Sequence, residues 1–154
     1  MKKIIIILVS LIIFIVALVF VFTLNKDKKF LLEDIHYNTE ERFIKIDSKE
    51  LNKLMNDKKS FVVFTYLPYC TFSVPCDVIF ETFLNRNNMS FYEIPYDEFT
   101  EVKKFKDIKY APSVVIVKDG KVVTYLDANS DDDIEKYQNA DTFGDWITKY
   151  IKLK

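Results

Sequence analysis

The chain has 154 residues, 49% of them hydrophobic, with only two glycines and four prolines. That suits one domain with a core of its own and leaves little material for long flexible regions. Formal net charge is −1, and after residue 24 all 23 acids meet 20 of the 22 bases, near −3 (20 − 23). Such a balance excludes the basic footprint of a nucleic-acid-binding protein.

Ile4 to Leu24 is a stretch of 21 residues without a charge. At 1.5 Å per residue it spans about 30 Å, the hydrocarbon thickness of a bilayer, and predicts one transmembrane helix. It exceeds the usual signal-peptide core, and no small-x-small cleavage site follows. Lys2 and Lys3 flank one end; Lys26, Lys28 and Lys29 flank the other. A leading tail this short stays in the cytoplasm, which would export the rest into an oxidising compartment. Residues 25–41 read as a charged tether of mixed pattern, whose Phe30, Leu31, Leu32 and Ile35 are placed to touch the membrane or the domain. They hold the only histidine, His36, which has no cysteine or second histidine near it in sequence and reads as a solvated linker residue, with no metal role.

From Arg42 onward the pattern is that of one α/β domain, residues 42–154. Arg42 to Ile46 predicts a short edge strand. Asp47-Ser-Lys-Glu50 has capping-box spacing for a helix with Leu51, Leu54 and Met55 on one face. Phe61 to Tyr66, FVVFTY, is continuously apolar and predicts a central strand buried on both faces. Cys70 follows, then Asp77-Val-Ile-Phe-Glu-Thr-Phe83 in a helical pattern. Met89 to Ile94 predicts a third strand and Phe99 to Phe105 a short helix. Pro112 opens a buried strand, Asp119-Gly120 turns it, and a returning strand runs to Leu126. A closing helix starts near Thr142, with Phe143, Trp146, Ile147, Tyr150 and Ile151 on one face.

A cysteine between a central strand and a helix is placed for chemistry, because the unpaired N–H groups of a helix start favour thiolate over thiol. Two registers are open. In one the helix starts at Cys70, and Cys76 lies inside it on an apolar stripe with Phe72, Phe80 and Phe83. The two cysteines would then be about 10 Å apart, too far to bridge, and Pro75 would kink the helix. In the other the helix begins late, with Pro75 at its start, and Cys70 lies on a widened loop able to reach Cys76.

Strand, cysteine, helix, then X-Pro-strand-turn-strand and a terminal helix resembles the thioredoxin superfamily over residues 42–154. Within it the chain is most similar to the membrane-anchored and bacteriocin-transport-accessory thioredoxin-like proteins of bacteria. The resemblance implies a central mixed sheet flanked by helices. It also implies a cis Ala111-Pro112 bond beside the reactive thiol, Cys70. Tyr69, Ala111 and Pro112 would form the platform for a protein thiol or disulfide substrate, with no cofactor. Three positions depart from the family pattern. Ser73 stands where the resolving cysteine of Cys-x-x-Cys would be, leaving Cys76 as the other candidate. Phe64 occupies the place of a buried proton-carrying acid, and Tyr69 that of a tryptophan.

Two functions are thereby open: a membrane-anchored protein forming mixed disulfides with exported proteins through Cys70, or a non-catalytic accessory that binds a partner near Pro112. Asp127-Ala-Asn129-Ser-Asp131-Asp-Asp133 imitates the opening of an EF-hand loop. It lacks the glycine (Asp132) and the bidentate glutamate (Gln138), so it reads as a solvated acidic loop.

Overall fold

The computed structural model describes residues 29–67 and 75–154. The strands are β1 (Phe43–Lys45), β2 (Phe61–Tyr66), β3 (Phe91–Pro95), β4 (Ser113–Lys118) and β5 (Lys121–Tyr125). The helices are α1 (Ser48–Asn56), α2 (Cys76–Asn87), α3 (Tyr96–Glu101), α4 (Ile134–Gln138) and α5 (Ala140–Ile147). The strands form one sheet in the order β1-β3-β2-β4-β5. β1, β3 and β2 run parallel, and β4 and β5 are antiparallel to their neighbours. This is the mixed sheet with flanking helices that the family resemblance implies.

β2 lies at the centre because it is apolar on both faces. Phe61, Val63 and Thr65 face one way, where Leu51 and Met55 of α1 and Phe99 of α3 complete a core with Phe105. Val62 and Phe64 face the other, against Phe80 and Phe83 of α2, Tyr137 of α4 and Phe143 and Trp146 of α5. The second core is largely aromatic: the Phe80 ring lies 4.6 Å from Phe143, 5.3 Å from Phe64 and 5.8 Å from Tyr137, centre to centre. Rings pack edge-on or tilted in such clusters because their quadrupoles disfavour face-to-face stacking.

The predicted cap at Asp47 forms, and Asn139 supplies one that the sequence reading did not name. The Asp47 carboxylate accepts from the Glu50 amide at 2.8 Å, and Asn139 Oδ1 accepts from the amides of Asp141 and Thr142 at the start of α5. Asp119 and Gly120 both take positive φ, 50° and 69°, as a two-residue hairpin turn demands. Gly120 has a second constraint: a Cβ there would stand 2.3 Å from the carbonyl oxygen of Met55. Three details differ from the sequence reading. The predicted 99–105 helix starts earlier as α3 and continues as a 3₁₀ turn, Lys103–Phe105. α5 begins two residues before Thr142, and the acidic stretch carries a 3₁₀ turn, Asp131–Asp133, and the unforeseen α4.

The larger correction concerns residues 25–41. From Phe30 onward this stretch is part of the domain. Phe30 exchanges backbone hydrogen bonds with Tyr150 and Lys152, and the Glu33 amide donates to Ser60 O. Asn38 N donates to Asn88 O, and Leu32 and Tyr37 are buried. His36 is fully buried rather than solvated: Nδ1 lies 3.0 Å from Ser90 O, and its ring stands edge-on to Tyr92 at 4.7 Å. A charged sequence hid this because the buried side chains alternate with exposed Leu31, Asp34 and Ile35. Ile4 to Leu24 lies outside the described residues, and no described helix is long and apolar enough to cross a membrane.

Candidate functional site

The C-terminal end of β2 gathers the candidate site. Tyr66 pairs with Pro95 of β3, and Thr65 with Ser113 of β4, so Pro112 sits beside the last residues of the central strand. The Ala111-Pro112 bond is cis, as the family resemblance implies. Ser113 Oγ donates to Tyr110 O at 2.7 Å, and the Tyr137 hydroxyl donates to Pro112 O at 2.8 Å. Burial raises the Tyr137 pKa, which keeps that hydroxyl protonated as a donor. The proline is thus held from both flanks, by its own loop and by α4.

Cys70, Tyr69 and Ser73 lie outside the described residues. Cys76 does not, and its position is informative. It is the first residue of α2; Pro75 before it has φ −57° and ψ 121°, outside helical geometry. Pro75 therefore caps the helix from outside, one residue ahead of the helical position that the late-starting register gives it. It is not the kink inside a longer helix that the early register needs. The 10 Å separation expected for two cysteines on one regular helix does not apply to Cys76 as a helix opener. Its side chain is 3% exposed, in the same buried cluster as Phe80 and Tyr137. Tyr137 thus connects the cluster that holds Cys76 to the Pro112 carbonyl.

Phe64 is 2% exposed and packed against Phe80, so β2 offers no proton acceptor facing α2. The residue paired with it on β3 is Glu93, which the sequence reading passed over. Its side chain is 15% exposed and 3.8 Å from the Lys45 ammonium. Burial holds its carboxyl above the ordinary carboxylate range; Lys45 opposes this, and Asp77 in the first turn of α2 adds to it. Period-two alternation from Phe91 could have placed Glu93 on the α2 face. Leu67 after β2, Val78 in the first turn of α2 and Tyr110 ahead of the cis proline are each close to half exposed. On the other face Thr65 Oγ1 is buried with no hydrogen-bond partner among the described residues.

The acidic loop is occupied with its own backbone. Asp133 accepts from the Asp127 amide at 2.9 Å and pairs with Lys136 at 2.7 Å, and Asp127 accepts from the Asn129 amide. Among the described residues no group of three His, Cys, Asp or Glu is placed to hold a metal ion.

No family model matches the sequence, and no curated protein matches it. Solved structures do. A mutant thioredoxin from Halobacterium salinarum aligns with a TM-score of 0.52 at 19% identity, over 75% of this chain and 96% of its own. Thioredoxin O2 from Arabidopsis thaliana in its oxidised state gives 0.51 at 12% identity, over 75% and 99%. A thioredoxin from Nicotiana alata gives 0.50 at 18%, over 73% and 95%. At these identities the likeness is one of architecture: the chain has the thioredoxin fold.

Proposed function

We propose that the chain is a membrane-anchored thiol–disulfide exchange protein, of the accessory class its sequence resembles, acting on exported proteins through Cys70. The observation that carries this reading is the placement of Cys76. It opens α2 beside Tyr137, whose hydroxyl holds the cis-Pro112 carbonyl at the end of the central strand. Ile4 to Leu24 supplies the anchor, and the domain lies outside the cytoplasm.

In this reading the Cys70 thiolate attacks one sulfur of a substrate disulfide. A mixed disulfide forms and the other substrate sulfur leaves as a thiolate. The Cys76 thiolate then attacks Cys70 Sγ, which releases the substrate as a dithiol and leaves a Cys70–Cys76 disulfide. A dithiol reductant returns the two electrons. Cys76 stands in the first turn of α2, and Glu93 is the carboxyl on this face available to trade protons. Pro112, with the exposed side chains of Leu67, Val78 and Tyr110, receives an extended substrate segment.

With insulin as substrate and dithiothreitol as donor, the parent is expected to accelerate reduction and Cys70→Ser to fall to the uncatalysed rate. Equal rates for the two would favour the non-catalytic accessory, a reading that draws on the burial of Cys76 and the apolar Phe64. A second substitution separates the registers. In this reading the partner of Cys70 is Cys76, a pairing that the position of Pro75 ahead of α2 supports, and Ser73→Cys should leave the reduction rate unchanged. A gain in rate with a new 70–73 disulfide would place the working pair at the earlier positions.

A further inference from the structure

The domain has a second end, and the chain enters there. Glu33 is bonded to Ser60 and His36 to Ser90, the residues just before β2 and β3. Lys118, at the far end of β4, stands over the Phe30 ring at 5.3 Å. Residues 30–36 and 151–154 thus run side by side at the end of the sheet opposite Pro112. The six residues of β2 put about 20 Å between the two ends.

This entry end presents apolar surface. Leu31 is 48% exposed, Ile35 55% and Leu153 42%. Lys29 and Lys152 are exposed among them. The two acids of the segment are already paired, Glu33 with Lys59 at 2.9 Å and Asp34 with Lys154 at 2.5 Å. Only residues 25–29 separate the apolar stretch ending at Leu24 from Phe30. Five residues reach at most about 17 Å when fully extended. If the stretch spans a bilayer, Phe30 cannot stand farther than that from where the chain leaves the hydrocarbon.

We propose that this end of the domain rests on the lipid surface. Leu31, Ile35 and Leu153 enter the interface, Lys29 and Lys152 lie among anionic headgroups, and Pro112 points away from the membrane. The short connection keeps this end of the domain within reach of the lipid surface, and the mix of exposed aliphatics with lysines is the chemistry of an interfacial contact. The proposal rests on the membrane-anchor reading of residues 4–24, and one experiment separates the two.

The full chain is placed in vesicles of phosphatidylethanolamine and phosphatidylglycerol, with p-benzoylphenylalanine replacing Leu31, Ile35, Leu153 or Tyr110 in turn. Resistance to alkaline carbonate extraction tests the anchor, and photo-adducts to phospholipid, read by mass spectrometry, test the docking face. Expected are carbonate resistance throughout, lipid adducts at 31, 35 and 153 several-fold above position 110, and loss of that excess in Leu31→Glu/Ile35→Glu. Carbonate release would overturn the anchor and the docking face with it. A carbonate-resistant chain with equal adducts at all four positions, or with chain-to-chain cross-links at 31 and 153, would overturn the docking face alone.

Discussion

Phe80→Ala is expected to cost the domain about 3–5 kcal/mol, the range for removing a wholly buried ring whose neighbours cannot collapse into the gap. The Phe80 ring is 0% exposed and braces Phe64 of the central strand, Phe143 of the closing helix and Tyr137. Exposed ion pairs cannot compensate. Arg86–Asp141 joins α2 to α5 through side chains 57% and 82% exposed, and such pairs contribute about 0–1 kcal/mol. Urea unfolding of the purified chain should show a lower midpoint with an unchanged slope. Because Tyr137 positions Pro112, the variant should also lose insulin-reducing activity below its own unfolding midpoint. A loss of under about 1 kcal/mol would mean that the aromatic cluster is not the core it is described to be.

His36 should make the domain sensitive to acid. Burial pushes its imidazole down to about 4 from 6.5, against the opposing pull of the Ser90 carbonyl and Glu33. Nδ1–H donates to that carbonyl, and Nε2 is buried with no hydrogen-bond partner among the described residues, so a second proton would find no acceptor. Between pH 6.5 and about 4 the unfolded chain binds a proton that the folded chain refuses. Stability therefore falls as pH drops through that window, by about 3 kcal/mol in all, and this contribution is flat above it. His36→Phe retains a ring against Tyr92 but removes the titration. The variant should be less stable at neutral pH, where Ser90 O loses its donor, and should show a shallower decline toward pH 4. Urea midpoints of parent and variant at pH 7, 6, 5 and 4 provide the comparison. Parallel curves would show that His36 titrates normally and is not held as described.

Strong local signals were the ones that survived from sequence to structure. FVVFTY is β2 to the residue because an unbroken apolar run between Ser60 and Leu67 fits a strand covered on both faces. Asp47 and Asp119-Gly120 were legible because each is a backbone requirement met by its own side chain or by glycine. What escaped depends on long-range contact. Nothing local to Glu33–Tyr37 says that Ser60 and Ser90 will accept and donate there, and so a buried histidine passed for a linker residue. α4 hid in an acidic stretch whose polarity is absorbed by the Asp133–Lys136 pair and by Tyr137 turned inward.

The site was legible in part. X-Pro before a buried strand marked Pro112, and the apolar face of α2 was visible in Phe80 and Phe83. The start of α2 was harder, because two registers satisfied the same apolar stripe, and the backbone angles of Pro75 decide in favour of the later one. Glu93 was missed because a single acid in a strand reads as its solvent face. Its alternation with Phe91 and its pairing with Phe64 turn it toward α2.

The central claim is that Cys70 captures substrates and Cys76 releases them. Cys76→Ala in the full chain, expressed in a bacterial membrane and quenched in acid before alkylation, tests this most directly. Without the second thiol the first step should stall, and reductant-sensitive adducts of exported proteins should accumulate on non-reducing gels. These should disappear in Cys70→Ser/Cys76→Ala. A Cys76→Ala chain that forms no adduct beyond the level of the double variant would contradict the exchange mechanism and leave the fold serving as a binding scaffold.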